Sequence, residues 1–383
     1  DLHSFPTRRS SDLWQIPCQR IQRVAEVAEK QNPTKSDKGS HSSEQRRERE
    51  IVKRRKNRME LQTAMMQRCL QLARKGEGHT ASNPMVGAVV VHGGKIIGEG
   101  YHRQCGGAHA EVNAIASVRE PALLPHSSLY VSLEPCNHYG KTPPCTELII
   151  SKKIPRVVVA TPDPNPQVAG KGIERMRRNG IEVDVGLLEE EAQELNRLFF
   201  ANQRYRRPYI FLKWAQSSDG FMDRCRTLEE QTPPVRISND LTQTLVHKLR
   251  TEVQGILVGT RTALLDNPRL NARKWFGNHP VRMVIDRENR LPDTAHLLDG
   301  SIPTLVFTAS VPVNRPHPER VRYVPIEFNK NTNEQILKYL HQEGMTSILV
   351  EGGATLLHSF ILQHLWDEAC LPKIGRASCR ERV

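Results

Sequence analysis

Two stretches, HAEVNA (residues 109–114) and YVSLEPCNHYGKTPPC (residues 130–145), carry potential metal ligands at predicted strand–helix junctions. His109 opens a predicted helix, Cys136 follows a predicted strand, and Cys145 opens the next helix. One imidazole and two thiolates suit Zn²⁺, and three protein ligands leave a fourth position for water, which is typical of catalytic sites. We therefore expect a catalytic zinc site at His109, Cys136 and Cys145, within an α/β fold.

Glu111 lies two residues after His109, in the first turn of the same predicted helix. From there a carboxylate can reach a metal-bound water, whose pKa zinc lowers to about 7, without binding the metal itself. Such a group can carry a proton from the water to a leaving amine. The H-x-E…P-C…C arrangement is that of zinc nucleobase and nucleotide deaminases, although eight residues separate the two cysteines here instead of the usual two.

The sequence around these motifs predicts a first domain over residues 59–205. Gly93-Gly94 between two apolar runs indicates a β-hairpin, and the later strands alternate with helices, which favours a three-layer α/β/α domain with largely parallel strands. The predicted helices are Leu61–Lys75, His109–Val118, Cys145–Lys153 and Gly170–Asn179, and the predicted strands are Val86–Val91, Lys95–Gly100, Leu129–Leu133, Arg156–Ala160 and Ile181–Val185.

A second α/β domain is predicted over residues 206–372, after a charged helix and linker that Pro208 closes. Its strands again alternate with helical segments. The predicted strands are Tyr209–Ala215, Gly255–Val258, Val281–Ile285, Thr304–Thr308 and Ser347–Val350, and the predicted helices are Asn239–Arg250 and Ala354–His364.

Both ends of the chain differ from the middle. Of the net charge of +13, residues 1–58 carry +7 and residues 373–383 carry +3. HSFPTRRSSDL (3–13) and KIGRASCRERV (373–383) back-translate into complementary strands of one oligonucleotide that resembles a sequencing-library adapter. We therefore expect residues 1–58 to be disordered and no part of the fold, Met59 to be the natural start, and the second domain to be truncated near Pro372.

Residues 59–371 resemble the bifunctional riboflavin-biosynthesis deaminase–reductases. The resemblance rests on SNPMVGAVVV (82–91), GEGYH (98–102), the two zinc-ligand stretches, DPNPQVAGKGI (163–173), LKWAQSSDG (212–220), GTRTALLDNPRL (259–270) and VEGGATLLHSF (350–360). It implies a cytidine-deaminase-like domain followed by a dihydrofolate-reductase-like domain. The first would deaminate a diaminopyrimidinone ribosylamino 5′-phosphate, and the second would use NADPH to reduce its ribosyl group to a ribityl chain.

The resemblance also implies roles for individual residues. In the deaminase it assigns zinc to His109, Cys136 and Cys145, proton transfer to Glu111, and substrate contacts to Asn83, His102 and Lys141. In the reductase it implies substrate contacts at Arg250, Leu270, Arg273 and Glu351, where two arginines suit a phosphate. The implied cofactor contacts are Gln216, Arg236 (where the family often has Trp), Ser238, Thr262, Asp266, Arg287 and the pyrophosphate loop Gly353–Ser359, including Ala354 and Thr355.

Two other interpretations were weighed against this one. A nucleotide or tRNA deaminase with a non-catalytic second domain conflicts with the long gap between the cysteines and with the EGG motif at 351–353. A nucleic-acid-binding protein that uses the basic N-terminal arm conflicts with the small net charge of +3 on residues 59–372 and with the suspected adapter origin of the ends. No apolar run approaches 18 residues and no export signal is visible, so we expect a cytoplasmic homo-oligomer without disulfides, which binds a phosphorylated pyrimidine.

Overall fold

The structure is a computed structural model, and it describes residues 42–80, 82–139, 143–165, 168–218, 220–229, 232–313, 317–371 and 381–382. The chain divides into two units, residues 1–57 and residues 58–383. The suspected adapter stretches lie outside the described residues, except for Glu381 and Arg382, which form the short strand β14. Among the described residues, no helix has the length and apolar composition that a bilayer crossing requires.

The first helix begins earlier than predicted. Helix α1 covers Ser42–Arg74, so the expectation that residues up to 58 are disordered is wrong from Ser42 onwards. Arg, Lys, Glu and Gln favour helix even without apolar partners, and the Glu50–Arg54 ion pair, at 3.1 Å, follows the i, i+4 spacing that supports a solvated helix. The predicted helix Leu61–Lys75 is confirmed as the packed part of α1, with Cys69 and Leu72 buried as expected and Met66, rather than Met65, fully buried beside them.

The first domain has a five-stranded sheet in the order β2-β1-β3-β4-β5. The predicted hairpin is confirmed: Gly93 and Gly94 turn β1 into β2 with φ values of 56° and 78°, which glycine adopts without strain. Only β3, β4 and β5 run parallel, because β1 is antiparallel to both of its neighbours. The strands are β1 Gly87–His92, β2 Lys95–Tyr101, β3 Ser128–Val131, β4 Arg156–Val159 and β5 Glu182–Val185.

Helices cover both faces of this sheet, which confirms the three-layer arrangement. One core lies between the sheet and α2, α3 and α4, with Val90, Ala114 and Ile149 at its centre. The other lies between the sheet and α1 and α5, around Met66 and Tyr130. The helices are α2 Ala110–Ala116, α3 Cys145–Ser151, α4 Lys171–Arg178, α5 Glu189–Leu195 and α6 Arg197–Tyr205.

The second domain has a seven-stranded sheet in the order β11-β10-β9-β8-β12-β6-β13, and all of its described pairings are parallel. Apolar cores on both faces bury the strands, as expected for a parallel sheet. The strands are β6 Tyr209–Lys213, β7 Phe221–Asp223, β8 Gly255–Gly259, β9 Val281–Ile285, β10 Thr304–Thr308, β11 Val321–Pro325, β12 Ser347–Val350 and β13 Glu368–Cys370; β7 pairs separately with β14 Glu381–Arg382. The helices are α7 Asp240–Glu252, α8 Thr260–Asp266, α9 Thr332–Gln342 and α10 Ala354–Leu362.

Strand β6 does not end this sheet, because a further short strand pairs with it close to the predicted truncation near Pro372. Strand β13 pairs with Phe211, Leu212 and Lys213 of β6. Just before it, the Asp367 carboxylate accepts hydrogen bonds from the Ile210 amide at 2.8 Å and from the Arg207 guanidinium at 2.6 and 2.9 Å. These bonds use backbone and side-chain groups that an open edge would leave unpaired.

Candidate active sites

The three predicted zinc ligands come together at one end of the first sheet. His109 is the residue before α2, Cys145 is the first residue of α3, and Cys136 lies on the loop after β3. The ligand atoms of all three lie within 4.8 Å of one another. His109 Nδ1 is 3.5 Å from Cys136 Sγ and 3.3 Å from Cys145 Sγ. One nitrogen and two sulfurs at this spacing fit a zinc ion, and no fourth protein ligand joins the cluster within the described residues.

The local hydrogen bonds favour a thiolate at Cys136. The backbone N–H of Cys145, at the start of α3, donates to Cys136 Sγ at 3.3 Å. The Cys145 thiol lowers the pKa of Cys136 most strongly, and His109 lowers it further. In turn, the contact with Cys136 raises the pKa of His109. A lower thiol pKa favours the thiolate, which is the form of cysteine that binds a metal.

Glu111 lies beside this cluster and is 3 % exposed. Burial raises the pKa of its carboxyl to about 7, with a further contribution from Cys136. A carboxyl with a pKa near neutrality can both take and return a proton at physiological pH. Glu111 also lines a cavity of about 280 Å³ together with His109 and Cys136.

Two predicted substrate residues, Asn83 and His102, line the same cavity and are joined to each other. His102 Nδ1 lies 3.1 Å from the Ala108 carbonyl oxygen, which can only accept a hydrogen bond, so Nδ1 carries the proton. Nε2 therefore accepts from the Asn83 amide nitrogen at 3.1 Å. Burial lowers the pKa of His102, in agreement with a neutral ring. This chain of bonds leaves the Asn83 carbonyl oxygen as an acceptor at the cavity. Lys141 lies outside the described residues.

Glu134 is a functional candidate that the sequence analysis missed. Its buried carboxylate accepts backbone N–H bonds from Asp163 and Gly170 on Oε2, at 3.1 and 2.9 Å, and from Gly172 and Ile173 on Oε1, at 2.9 and 3.3 Å. A Cβ at Gly172 would lie 2.3 Å from the Pro135 carbonyl oxygen, so only glycine fits there. Glu134 thereby joins Asp163 to the start of α4, and Asp163, Asn165 and Val168 form part of the cavity wall.

The second domain contains a larger cavity of about 1060 Å³ at the carboxyl ends of β6, β8 and β12. Ligands of open α/β sheets bind at this end of the strands. Most of the predicted reductase residues line it, namely Arg236, Ser238, Arg250, Thr262, Asp266, Leu270, Arg273, Glu351, Gly353, Ala354 and Thr355. Two predicted cofactor residues do not: Gln216 accepts a bond from Trp214 Nε1 at 2.8 Å, and the Arg287 guanidinium lies over the Phe328 ring at 5.7 Å.

The glycine loop before α10 is shaped for close approach of a ligand. Gly352 and Gly353 have φ values of 137° and 78°, which other residues rarely adopt. A Cβ at Gly353 would lie 2.9 Å from Thr262 Oγ1, so a side chain here would fill the space between the loop and α8. The N-terminal amides of α10 adjoin this space, and a helix N-terminus favours a phosphate group. These features fit the pyrophosphate of NADPH.

Arg250 and Glu351, both predicted to contact substrate, form a buried ion pair with each other. Arg250 Nε and Nη2 donate to the two Glu351 oxygens at 3.0 and 2.5 Å, and Nη1 donates to the Asn271 carbonyl at 2.9 Å. Burial alone would raise the pKa of Glu351, but Arg250, and then Lys213, hold it below its ordinary value. Glu351 is therefore an anion and can accept hydrogen bonds from hydroxyl groups in the cavity.

A second ion pair, in which only the arginine is buried, holds the predicted cofactor residue Asp266. Arg226, which the sequence analysis missed, lies 2.7 Å from Asp266 Oδ1 and 2.7 Å from Asp223 Oδ2. It connects α8 with the segment that leads to Arg236. Leu270, a predicted substrate residue, is buried with a φ of 47°, and a bulky residue in this strained region is a frequent feature of binding sites.

Comparisons with known proteins give a family match for each of the two domains. The cytidine and deoxycytidylate deaminase zinc-binding region matches residues 59–161, and the RibD C-terminal domain matches residues 208–373. The riboflavin biosynthesis protein RibD of Aquifex aeolicus is 42 % identical over 321 residues, which are 82 % of this chain and 88 % of that protein. RibD of Bacillus amyloliquefaciens is 41 % identical over 79 % of this chain and 81 % of that protein.

A solved structure supports the same relationship. A diaminohydroxyphosphoribosylaminopyrimidine deaminase/5-amino-6-(5-phosphoribosylamino)uracil reductase from Thermotoga maritima is 36 % identical, with a TM-score of 0.73 over 85 % of this chain and 90 % of that chain. The relatives extend over both domains rather than over the deaminase alone. The chain therefore belongs to the RibD family of riboflavin-biosynthesis proteins.

Proposed function

We propose that the chain catalyses two consecutive steps of riboflavin biosynthesis. In the smaller cavity, water replaces the exocyclic 2-amino group of 2,5-diamino-6-(ribosylamino)-4(3H)-pyrimidinone 5′-phosphate, and ammonia leaves. In the larger cavity, the ribosyl group of the product is reduced to a ribityl chain at the expense of NADPH. The observation that carries the proposal is the pairing, in one chain, of the His109–Cys136–Cys145 cluster beside Glu111 with a second cavity that ends at the Gly353 loop.

For the deamination, His109, Cys136 and Cys145 would hold zinc, which as a Lewis acid activates the attacking water. Glu111 takes a proton from that water and delivers a proton to the leaving amine, which its pKa of about 7 allows in both directions. Asn83 offers its carbonyl oxygen to an N–H group of the pyrimidine, because its amide nitrogen is engaged by His102. The Glu134 carboxylate keeps the Asp163–Ile173 segment against the cavity so that the bound ring is positioned.

For the reduction, NADPH supplies a hydride when bound. Gly353, Ala354 and Thr355 at the start of α10 would bind its pyrophosphate through backbone amides. Glu351, held as an anion by Arg250, accepts hydrogen bonds from sugar hydroxyls and orients the ribosyl group. Arg273 is an exposed guanidinium of the cavity lining, and it would bind the 5′-phosphate.

The proposal is tested with the purified protein and two substrates. With the diaminopyrimidinone phosphate we expect ammonia release and, when NADPH is present, its oxidation. With the deaminated aminouracil phosphate we expect NADPH oxidation without ammonia. Glu111→Gln should lose ammonia release and the NADPH oxidation that depends on it, yet oxidise NADPH normally with the aminouracil phosphate. Ammonia release with no NADPH oxidation from either substrate would leave only a deaminase and would refute the second activity.

A further inference from the structure

His247 is a buried group of the reductase cavity that none of the roles above uses. It lies on α7, lines the cavity wall close to Arg250, and is 5 % exposed. Its Nδ1 atom is buried and has no hydrogen-bond partner in the part of the chain that the structure describes. Buried polar atoms in folded proteins almost always have a partner, so an unpaired nitrogen at a cavity wall indicates that a ligand or a water molecule supplies one.

The charges around His247 indicate what kind of ligand this is. Three cations, Arg250, Arg273 and Lys274, lower the pKa of the ring. One anion, Glu351, raises it. Arg250 and Glu351 neutralise each other through their two-bond pair. Lys274 donates to Gln243 at 2.6 Å and lies 3.6 Å from Asp240, whereas Arg273 donates to the Asn271 amide oxygen and pairs with no carboxylate among the described residues. The corner therefore retains positive charge, which favours an anionic group.

The protonation state of the ring is compatible with such a ligand. Burial, and then Arg250 and Arg273, lower the pKa of His247 to about 4, so the imidazole is neutral near pH 7. A neutral imidazole carries one N–H donor and one acceptor nitrogen. It can donate one hydrogen bond to an oxygen of a phosphate without adding a buried charge to the ligand-free protein, where three cations are already close.

We propose that His247 is a specificity-determining residue of the reductase, which donates an N–H to the phosphate monoester of the pyrimidine substrate and works alongside Arg273. This inference rests on the proposed reductase function. It takes the bound anion to be the substrate phosphate rather than a phosphate of NADPH, because the charged groups that act on His247 include Arg250, Arg273 and Glu351, which are the residues expected to contact the substrate.

The test compares His247→Leu and His247→Asn with the parent. We expect His247→Leu to raise the KM for the aminouracil phosphate about tenfold or more, because a hydrogen bond to a charged group is lost, with little change in the KM for NADPH. His247→Asn, which places an amide near the position of Nδ1, should recover part of the loss. The dephosphorylated substrate should be reduced equally by the parent and His247→Leu.

Stability provides the readout that separates binding from a structural role. An unpaired buried nitrogen contributes nothing to the ligand-free fold, so His247→Leu should unfold at the same temperature as the parent or at a higher one. His317→Leu, an exposed position before β11 that is not part of the cavity wall, is the matched control and should change neither KM. Ammonia release should be the same in all of these variants.

The outcomes separate the inference from the function on which it rests. A parent that does not oxidise NADPH with the aminouracil phosphate refutes the reductase function; calorimetry with ribose 5-phosphate against ribose then tests the site by itself. Preference for the phosphorylated sugar that disappears in His247→Leu supports the site. An active parent with an unchanged KM in His247→Leu, a rise confined to the KM for NADPH, or a large loss of thermal stability overturns the inference.

Discussion

The two cavities of this chain are assembled in different ways. The three proposed metal ligands and Glu111 all come from residues 109–145: His109, Glu111 and Cys145 lie at helix starts, and Cys136 lies on the loop after β3. The reductase cavity is lined by residues between Lys213 and Gln363, and its charged groups pair across long sequence separations, such as Arg250 with Glu351. The deaminase site depends on a few ligand atoms that no other residue replaces. The reductase site depends on several ion pairs that hold the residues of a large cavity wall in place.

The strongest test of this difference is removal of one deaminase ligand. Cys136→Ser and Cys145→Ser should each lose zinc and reduce ammonia release below detection, because a hydroxyl is a poor substitute for a thiolate in a three-ligand site. NADPH oxidation with supplied aminouracil phosphate should persist. Zinc content and both activities are measured, with Cys105→Ser, an exposed cysteine outside the cluster, as the control. Equal zinc in parent and ligand variants would show that these sulfurs do not bind the metal.

The next largest effect is expected at Glu111. Glu111→Gln should keep its zinc but lose about 10²- to 10⁴-fold in the rate of ammonia release, because Gln has the shape of Glu but cannot transfer a proton. The buried position of the side chain keeps water from taking over the role. Glu120→Gln, an exposed carboxylate after α2, is the matched control. A Glu111→Gln rate within a few-fold of the parent would assign proton transfer to another group.

The fold was readable from sequence where periodicity and turn chemistry act locally. The hairpin at Gly93-Gly94 and the ligand junctions at His109 and Cys145 follow from such signals. The helical character of residues 42–58 was missed, because the segment offers little apolar surface to a core, although its charged residues favour helix. Strand β11 and helix α9 were also missed, although Val321 and Tyr323 alternate with an exposed residue in β11 and Ile336, Leu337 and Leu340 have helical spacing in α9.

The sites were readable to different extents for the same reason. A His–Cys–Cys set has few uses other than metal binding, so its chemistry is visible without a structure. Arg226, Glu134 and His247 look ordinary in the sequence. Their importance comes from what lies beside them in space: two carboxylates around Arg226, four backbone amides around Glu134, and no partner for the His247 nitrogen within the described residues.

The reductase ion pair offers a test of the opposite kind, in which stability and activity are lost together. Glu351→Gln leaves the Arg250 charge buried without a carboxylate, which costs about 3–5 kcal/mol when such pairs are broken, and it should also abolish NADPH oxidation. The double variant Arg250→Met with Glu351→Leu should recover much of the stability, because it removes both charges, but none of the activity. Recovery of activity in the double variant would contradict the role of Glu351 in binding substrate.

A smaller effect is expected at Glu134. It lies in the deaminase but, like the reductase ion pairs, it holds other parts of its cavity wall in place. Glu134→Gln places an amide nitrogen where two backbone N–H groups need an acceptor, so the Asp163–Ile173 segment should be held less well. We expect about a tenfold rise in the KM for the diaminopyrimidinone phosphate with zinc content unchanged. Glu147→Gln, whose partners Arg175 and Tyr139 lie nearer the surface, is the control. If Glu134→Gln loses zinc instead, Glu134 positions the metal ligand Cys136 rather than the substrate.

The smallest effect is the change that acid causes in the stabilisation of the fold by the Arg250–Glu351 ion pair. Because the pKa of Glu351 is lower in the folded chain than its ordinary value of about 4.3, the folded state keeps the carboxylate ionised to a lower pH than the unfolded state does. The stabilisation is therefore complete above about pH 5 and is lost as the pH falls through the lowered pKa. The stability difference between the parent and Glu351→Gln should be constant from about pH 8 to pH 5 and shrink below about pH 4.

Urea unfolding of both proteins at a series of pH values measures this difference directly. Deaminase activity, recorded after return to neutral pH, shows whether the first domain has survived each exposure. A difference that grows as the pH falls would mean that Glu351 is protonated in the folded chain at neutral pH, and the buried pair with Arg250 would then not be ionic. If the stability difference between the parent and Glu351→Gln shrinks as expected, acid destabilises the reductase domain by protonating one carboxylate, that of Glu351.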